Sequence, residues 1–140
     1  MWELAASSKN ISSYLVDGWE EQELSGDGDL PWSVVERPRI LIPAPDGVGA
    51  TLTLTGEPFL SPPKVTSQDV WVFVSGLFVA FGRLHRGGDV TGVLPPGAVR
   101  GATISVTLGL PNATRPSEIG AGPDERMLGL AFQSLRLSWI

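Results

Sequence analysis

The chain has 140 residues, with ten basic and fifteen acidic side chains, twelve prolines, seventeen glycines and no cysteine. This length suits one domain, so we predict a single domain over residues 1–140. The lack of cysteine excludes disulfides and thiolate chemistry, and a net charge of −5 argues against a nucleic-acid partner. The longest apolar run is shorter than the roughly 20 residues that span a bilayer, and the first residues do not resemble a signal peptide. We therefore expect a soluble protein that is made in the cytoplasm and does not insert into membranes.

The first third of the chain gives mixed signals. Residues 1–13 are predicted to form an N-terminal arm, and the pattern does not decide between a short strand and a helical turn. Residues 17–33 are rich in acidic side chains and glycine, and we predict a long ordered loop there. Loops of this length without secondary structure are usually functional or disordered.

The middle of the chain is typical of short strands separated by turns that contain proline and glycine. Residues 70–74 are apolar at every position, which predicts a central strand covered on both faces. Ser75-Gly76 then predicts a tight hairpin turn. Residues 83–88 contain the only histidine, His85, and are interpreted as a basic hairpin tip. The other strands of this region are predicted at residues 39–43, 50–55, 77–81, 90–94 and 103–108.

The last segment predicts a strand with an irregularity. Its apolar residues have one parity up to Phe132 and the opposite parity from Leu135 onwards. A strand changes parity by taking in one extra residue, so we predict a β-bulge near Gln133-Ser134. A helix is the alternative for this stretch. Seven or eight such strands predict an all-β fold, a single antiparallel β-sandwich of jelly-roll-like type.

Catalytic patterns are weak in this sequence, so we predict that the protein is not an enzyme. His85 is interpreted as a solvated loop residue, and one histidine cannot build a multi-histidine metal site. Asp27-Gly28-Asp29 matches part of a calcium loop, but the terminal glutamate of such loops is missing and an ordinary turn is favoured. We therefore predict no cofactor, with calcium at Asp27 and Asp29 as a weak alternative. The acidic loop also leaves open a glycoside hydrolase with paired carboxylates.

Three short motifs in a fixed order resemble a known module. They are Gly18-Trp19 with Glu23 four residues after the tryptophan, then Trp32-Ser33, and finally Asp124-x-Arg126-x-Leu128-Gly129 before the closing strand. This order resembles a carbohydrate-binding-like β-sandwich module appended to bacterial glycosyltransferases and phosphoglycerol transferases. The chain departs from that pattern in a longer acidic insert at residues 24–31, and we expect no transferase domain to precede the module.

The resemblance implies sugar binding at one end of the sandwich, through Trp19, Glu23, Trp32, Asp124 and Arg126. Aromatic planes suit the apolar faces of sugar rings, and planar polar side chains suit their hydroxyls. A structural interpretation is the alternative. Glu23 and Arg126 would then form a buried ion pair, and the two tryptophans would be core residues.

The functional hypothesis that follows is a non-catalytic carbohydrate-binding protein. We expect it to attach a virion-like particle, such as a capsid head spike or fibre of a phage or gene transfer agent, to bacterial cell-surface or capsular polysaccharide. Its partners would be a glycan and other subunits of the particle or a homo-oligomer. The alternative is a structural or adaptor subunit of an oligomeric assembly that docks through apolar strands or through the end that carries Trp139 and Ile140, without binding sugar.

Overall fold

The computed structural model describes residues 1–20, 30–43, 49–97 and 101–139, and these form two antiparallel β-sheets packed face to face. One sheet has the strand order β1-β9-β4-β7 and the other has the order β2-β3-β8-β5-β6. The predicted all-β sandwich is confirmed. The strands of the described segments are β1 (Trp2–Ala5), β2 (Leu15–Asp17), β3 (Arg39–Pro43), β4 (Ala50–Pro58), β5 (Gln68–Val74), β6 (Leu77–Leu84), β7 (Gly88–Leu94), β8 (Thr103–Gly109) and β9 (Leu130–Trp139).

The core lies between the sheets and is built by the alternation of side chains along each strand. In β8, Ile104, Val106 and Leu108 are buried, whereas the residues between them are exposed or half-buried. This alternation follows from the two-residue period of a strand, which sends every second side chain to the same face. Phe132 of β9 is the largest of the fully buried side chains.

The bulge predicted in the last strand is confirmed. Thr55 of β4 pairs with Ser134 of β9, but the next residue, Gly56, pairs with Phe132, so Gln133 is the extra residue. Because of this insertion, Phe132 and Leu135 both point into the core although they differ in parity. The helix alternative for this stretch is therefore wrong.

The predicted hairpin at Ser75-Gly76 is confirmed, since β5 and β6 pair on either side of it and both turn residues have positive φ. The prediction that both faces of residues 70–74 are covered is wrong. Val70, Val72 and Val74 are buried, but Trp71 points away from the core and is exposed. Because side chains alternate along the strand, Trp71 and Phe73 point to the outer face of the five-stranded sheet, away from the core.

Two further predictions concern connections. The prediction of a hairpin tip at residues 83–88 is wrong, because β6 and β7 lie in different sheets and this segment crosses between them. His85 itself is exposed and its Nδ1 lies 3.3 Å from the carbonyl oxygen of Thr66. At the N-terminus both the short strand and the helical turn considered for residues 1–13 occur, since β1 is followed by a 3₁₀ turn at Ile11–Ser13.

Candidate functional site

The site lies at the end of the sandwich where β4 ends and β9 begins. It includes residues from the two segments that flank the predicted acidic loop, one on each side. These flanks pair with each other: Trp19 forms an antiparallel bridge with Ser33, and the Glu20 amide donates to the Trp32 carbonyl at 2.9 Å. Gly18 makes the bend before this pair, with a φ of +81°. A β-carbon there would lie 2.9 Å from the Pro38 Cα, so only glycine fits the motif position before Trp19.

Ser33 joins the second flank to the last strand. Its amide donates to the Leu130 carbonyl at 2.8 Å, and its buried hydroxyl accepts the Leu130 amide at 2.9 Å. The neighbouring Trp32 forms an isolated bridge with Ala131. The Trp32-Ser33 motif therefore fixes this flank against the start of β9.

Arg126 brings the distant motifs together. Its Nη1 donates to the Glu20 carboxylate, and its Nε and Nη2 donate to the Asp124 carboxylate at 3.0 and 2.7 Å. The other Glu20 oxygen accepts the Trp32 amide at 3.0 Å. We call Glu20, Trp32, Asp124 and Arg126 the end cluster. It joins residues that are more than a hundred positions apart in the chain.

Asp124 and Arg126 of the end cluster stabilise each other in their charged forms. Donation from the Arg126 side chain and backbone lowers the pKa of Asp124 from its usual 3.8 to about 2. The same contact with Asp124 raises the pKa of Arg126. The Arg126 side chain is still 45% exposed. Among the described residues, three of its five N–H groups have acceptors.

The half-buried Trp32 supplies the aromatic member of the end cluster. Its ring packs edge-to-face on Phe59, with 6.5 Å between the ring centroids. The buried Gln68 side chain donates to the carbonyls of Phe59 and Asn112, at 2.9 and 3.2 Å. These bonds fix the segment after β4 and hence the surface on which Trp32 rests.

Only some of the sugar-binding residues predicted from the sequence lie together in the structure. It brings Trp32, Asp124 and Arg126 into one cluster, whereas Trp19 packs edge-on against Phe132 and donates its indole N–H to the Arg39 carbonyl at 3.1 Å. The partners of Arg126 in the described chain are Glu20 and Asp124. Glu23, Asp27 and Asp29 lie outside the described residues, so the proposed Glu23–Arg126 pair and the calcium alternative stay predictions.

Glu20 is the cluster residue that sequence reasoning missed. The signal was present, since Glu20 directly follows Trp19 and successive side chains of an extended segment point to opposite sides. With Trp19 directed at the core, Glu20 points outward. Only the pairing of the two flanks, which no local pattern contains, places it beside Arg126.

Neither a protein-family model nor a curated protein sequence matches the chain. No helix in the described parts of the chain is long and apolar enough to cross a membrane. Within the same residues, no group of three histidine, cysteine or acidic side chains is arranged to hold a metal ion.

Proposed function

We propose that the protein is a non-catalytic carbohydrate-binding module and that the end cluster is its binding site. The observation that supports this proposal is the position of Arg126. It is fixed by two carboxylates, yet its side chain stays 45% exposed, and the Glu20 carboxylate that it binds also accepts the backbone amide of the half-buried Trp32. The motif order that resembles a carbohydrate-binding-like module ends in these same residues.

The chemistry of the cluster suits a sugar. A pyranose ring presents hydroxyls that accept and donate hydrogen bonds, together with an apolar C–H face. Arg126 donates to hydroxyl oxygens, the oxygens of Glu20 and Asp124 accept from hydroxyl groups, and the Trp32 ring covers apolar surface. Because Arg126 is already oriented by its partners, little side-chain entropy is lost when a ligand binds.

The charge of the cluster selects among glycans. Two carboxylates and one guanidinium sum to −1, so a uronic acid or another anionic sugar would be repelled. We therefore propose neutral sugars or amino sugars as ligands.

The protonation state of Asp124 favours binding over hydrolysis. A glycoside hydrolase needs one carboxylic acid that stays protonated near neutral pH, which requires a raised pKa. Arg126 instead lowers the pKa of Asp124 to about 2, and the Glu20 carboxylate is engaged by the same guanidinium. These two carboxylates act as fixed acceptors of hydrogen bonds.

The experiment is a glycan array that carries neutral, amino-sugar and uronic-acid polysaccharides, probed with wild type and Arg126→Ala. We expect wild type to bind neutral or amino-sugar glycans and Arg126→Ala to bind them at least about tenfold more weakly. That loss follows because hydrogen bonds to charged groups contribute about 1.5 kcal/mol or more.

The matched control is Arg115→Ala. Arg115 is 44% exposed and is also paired with a carboxylate, that of Glu118, but it lies outside the end cluster. This variant should bind like wild type, and thermal melts should show that both variants fold. Absence of glycan binding by wild type, or equal binding by the two variants, would contradict the proposal.

A further inference from the structure

The outer face of the five-stranded sheet carries an aromatic group that the end cluster does not use. Trp71 of β5 contacts Phe81 and Phe78 of β6, with ring centroids 4.5 and 5.6 Å apart. Phe73 contacts Phe78 at 5.9 Å. Trp71, Phe78 and Phe81 are all exposed, and two phenyl rings hold the indole in place. Exposed aromatic patches of this kind usually mark an interaction site.

A groove of about 460 Å³ runs beside this group, between Trp71 and the segment that precedes β3. Its size falls in the range of about 300–1,000 Å³ that small-molecule sites occupy. Trp71 and Phe73 form one wall, and Glu36 and Arg37 lie on the other. Gly109 pairs with Trp71 on the neighbouring strand and has no side chain, so the floor beside the indole is open.

The charges of the groove restrict its occupant. Glu36 and Arg37 are exposed, and their side chains form no hydrogen bond or ion pair within the described residues. An anion would be repelled by Glu36 and a cation would be repelled by Arg37, and because the two charges sum to zero the groove favours neither sign. A hydrocarbon would cover both charges without pairing either. The occupant that satisfies every wall is neutral, with an apolar face for Trp71 and hydroxyls for Glu36 and Arg37.

We propose that this groove is a second carbohydrate subsite, which takes a neutral sugar unit against Trp71. This inference rests on the proposed function, because it assigns the same class of ligand to a second place on the molecule. The groove and the end cluster share no residue. Each subsite can therefore be removed separately.

The test is affinity electrophoresis of the full chain in gels that contain dextran, laminarin or galactomannan, with polygalacturonate and chitosan as charged comparators. We expect a neutral polysaccharide to retard wild type and Trp71→Ala to weaken the retardation at least about tenfold. The matched control is Trp139→Ala. Trp139 is 41% exposed and Trp71 is 39% exposed, but Trp139 lies on the other sheet, so its removal should leave the retardation unchanged.

A second variant, the double substitution Glu36→Gln with Arg37→Gln, keeps the test valid if Trp71→Ala fails to fold. It should weaken retardation by a neutral polysaccharide without lowering the melting temperature. Retardation that is lost in Arg126→Ala but unchanged in both groove variants would overturn the second subsite and leave the proposed function standing. The reverse pattern would support the groove and overturn the end cluster.

Two other outcomes would overturn the second subsite for a different reason. No retardation of wild type by any neutral polysaccharide would overturn both proposals. A dimer that forms with rising concentration and is abolished by Trp71→Ala would show that a second copy of the chain covers this face, and it would overturn the subsite as well.

Discussion

Arg126 lowers the pKa of its neighbour Asp124, and this can be measured directly. Its hydrogen bonds hold the pKa of Asp124 at about 2, well below the usual 3.8. A depressed pKa means that the contact stabilises the fold fully above pH 3.8 and loses that effect as the pH falls through 2. The end cluster should therefore stay intact from neutral pH down to about pH 4 and weaken below it.

This prediction is tested by following the carboxyl carbon of Asp124 by NMR during an acid titration. We expect a midpoint near 2 in wild type and a higher midpoint in Arg126→Ala, because that variant removes the side-chain donors and keeps only the backbone amide of residue 126 as a donor to Asp124. Equal midpoints in the two proteins would show that Arg126 does not hold Asp124 in solution.

Gly18 provides a second prediction at the scale of one residue. Gly18→Ala should lower the free energy of unfolding by more than the roughly 1–2 kcal/mol that a positive φ costs, because the new methyl group would also overlap Pro38 and the Val35 side chain. Gly97→Ala is the matched control, since Gly97 has a φ of +84° but, among the described residues other than its chain neighbours, no atom within 4 Å of the new methyl group. Urea unfolding of both variants measures the difference. Equal losses would exclude close packing as the reason for glycine at residue 18.

At the scale of one element, the bulge in β9 decides which side chains reach the core. Deleting Gln133 would turn either Phe132 or Leu135 away from the core, together with the buried residues beyond it. We expect the deletion to prevent folding or to cost several kcal/mol, since each large core side chain contributes about 2–5 kcal/mol. Circular dichroism and thermal melts measure this.

The control for the deletion is Gln133→Ala, which keeps the extra residue and changes only an exposed side chain. It should shift the free energy of unfolding by no more than about 0.5 kcal/mol. A deletion variant that melts like this control would contradict the role assigned to the bulge.

The same element shows how far sequence reasoning reaches. Parity along residues 128–139 was enough to place the bulge, because the two-residue period of a strand is a local property. The exposure of Trp71 was not predicted, because an apolar residue on an outer strand face has the same local pattern as a buried one. Which sheet each strand joins depends on long-range pairing, which a local pattern does not contain. For this reason the pattern at residues 83–88 predicts a hairpin, although the chain crosses between the two sheets there.

At the scale of the whole molecule, the sandwich joins two separate surfaces in one rigid frame. Trp32 and Arg126 lie at one end, where sequence motifs pointed, and their partner Glu20 was found through the pairing of the loop flanks. The groove at Trp71 lies on a sheet face and carries no motif. If both surfaces hold units of one polysaccharide, the second contact becomes intramolecular, and the overall affinity exceeds that of either subsite.

The measurement that tests the central claim most directly is a residue-resolved NMR titration of the isotope-labelled chain with the neutral or amino-sugar glycan that binds best on the array. We expect the amide signals of the end cluster (Glu20, Trp32, Asp124 and Arg126) to shift in proportion to bound ligand, while those of Arg115 and its partner Glu118 stay in place. A titration that leaves the end cluster unshifted would contradict the claim that this end of the sandwich binds sugar.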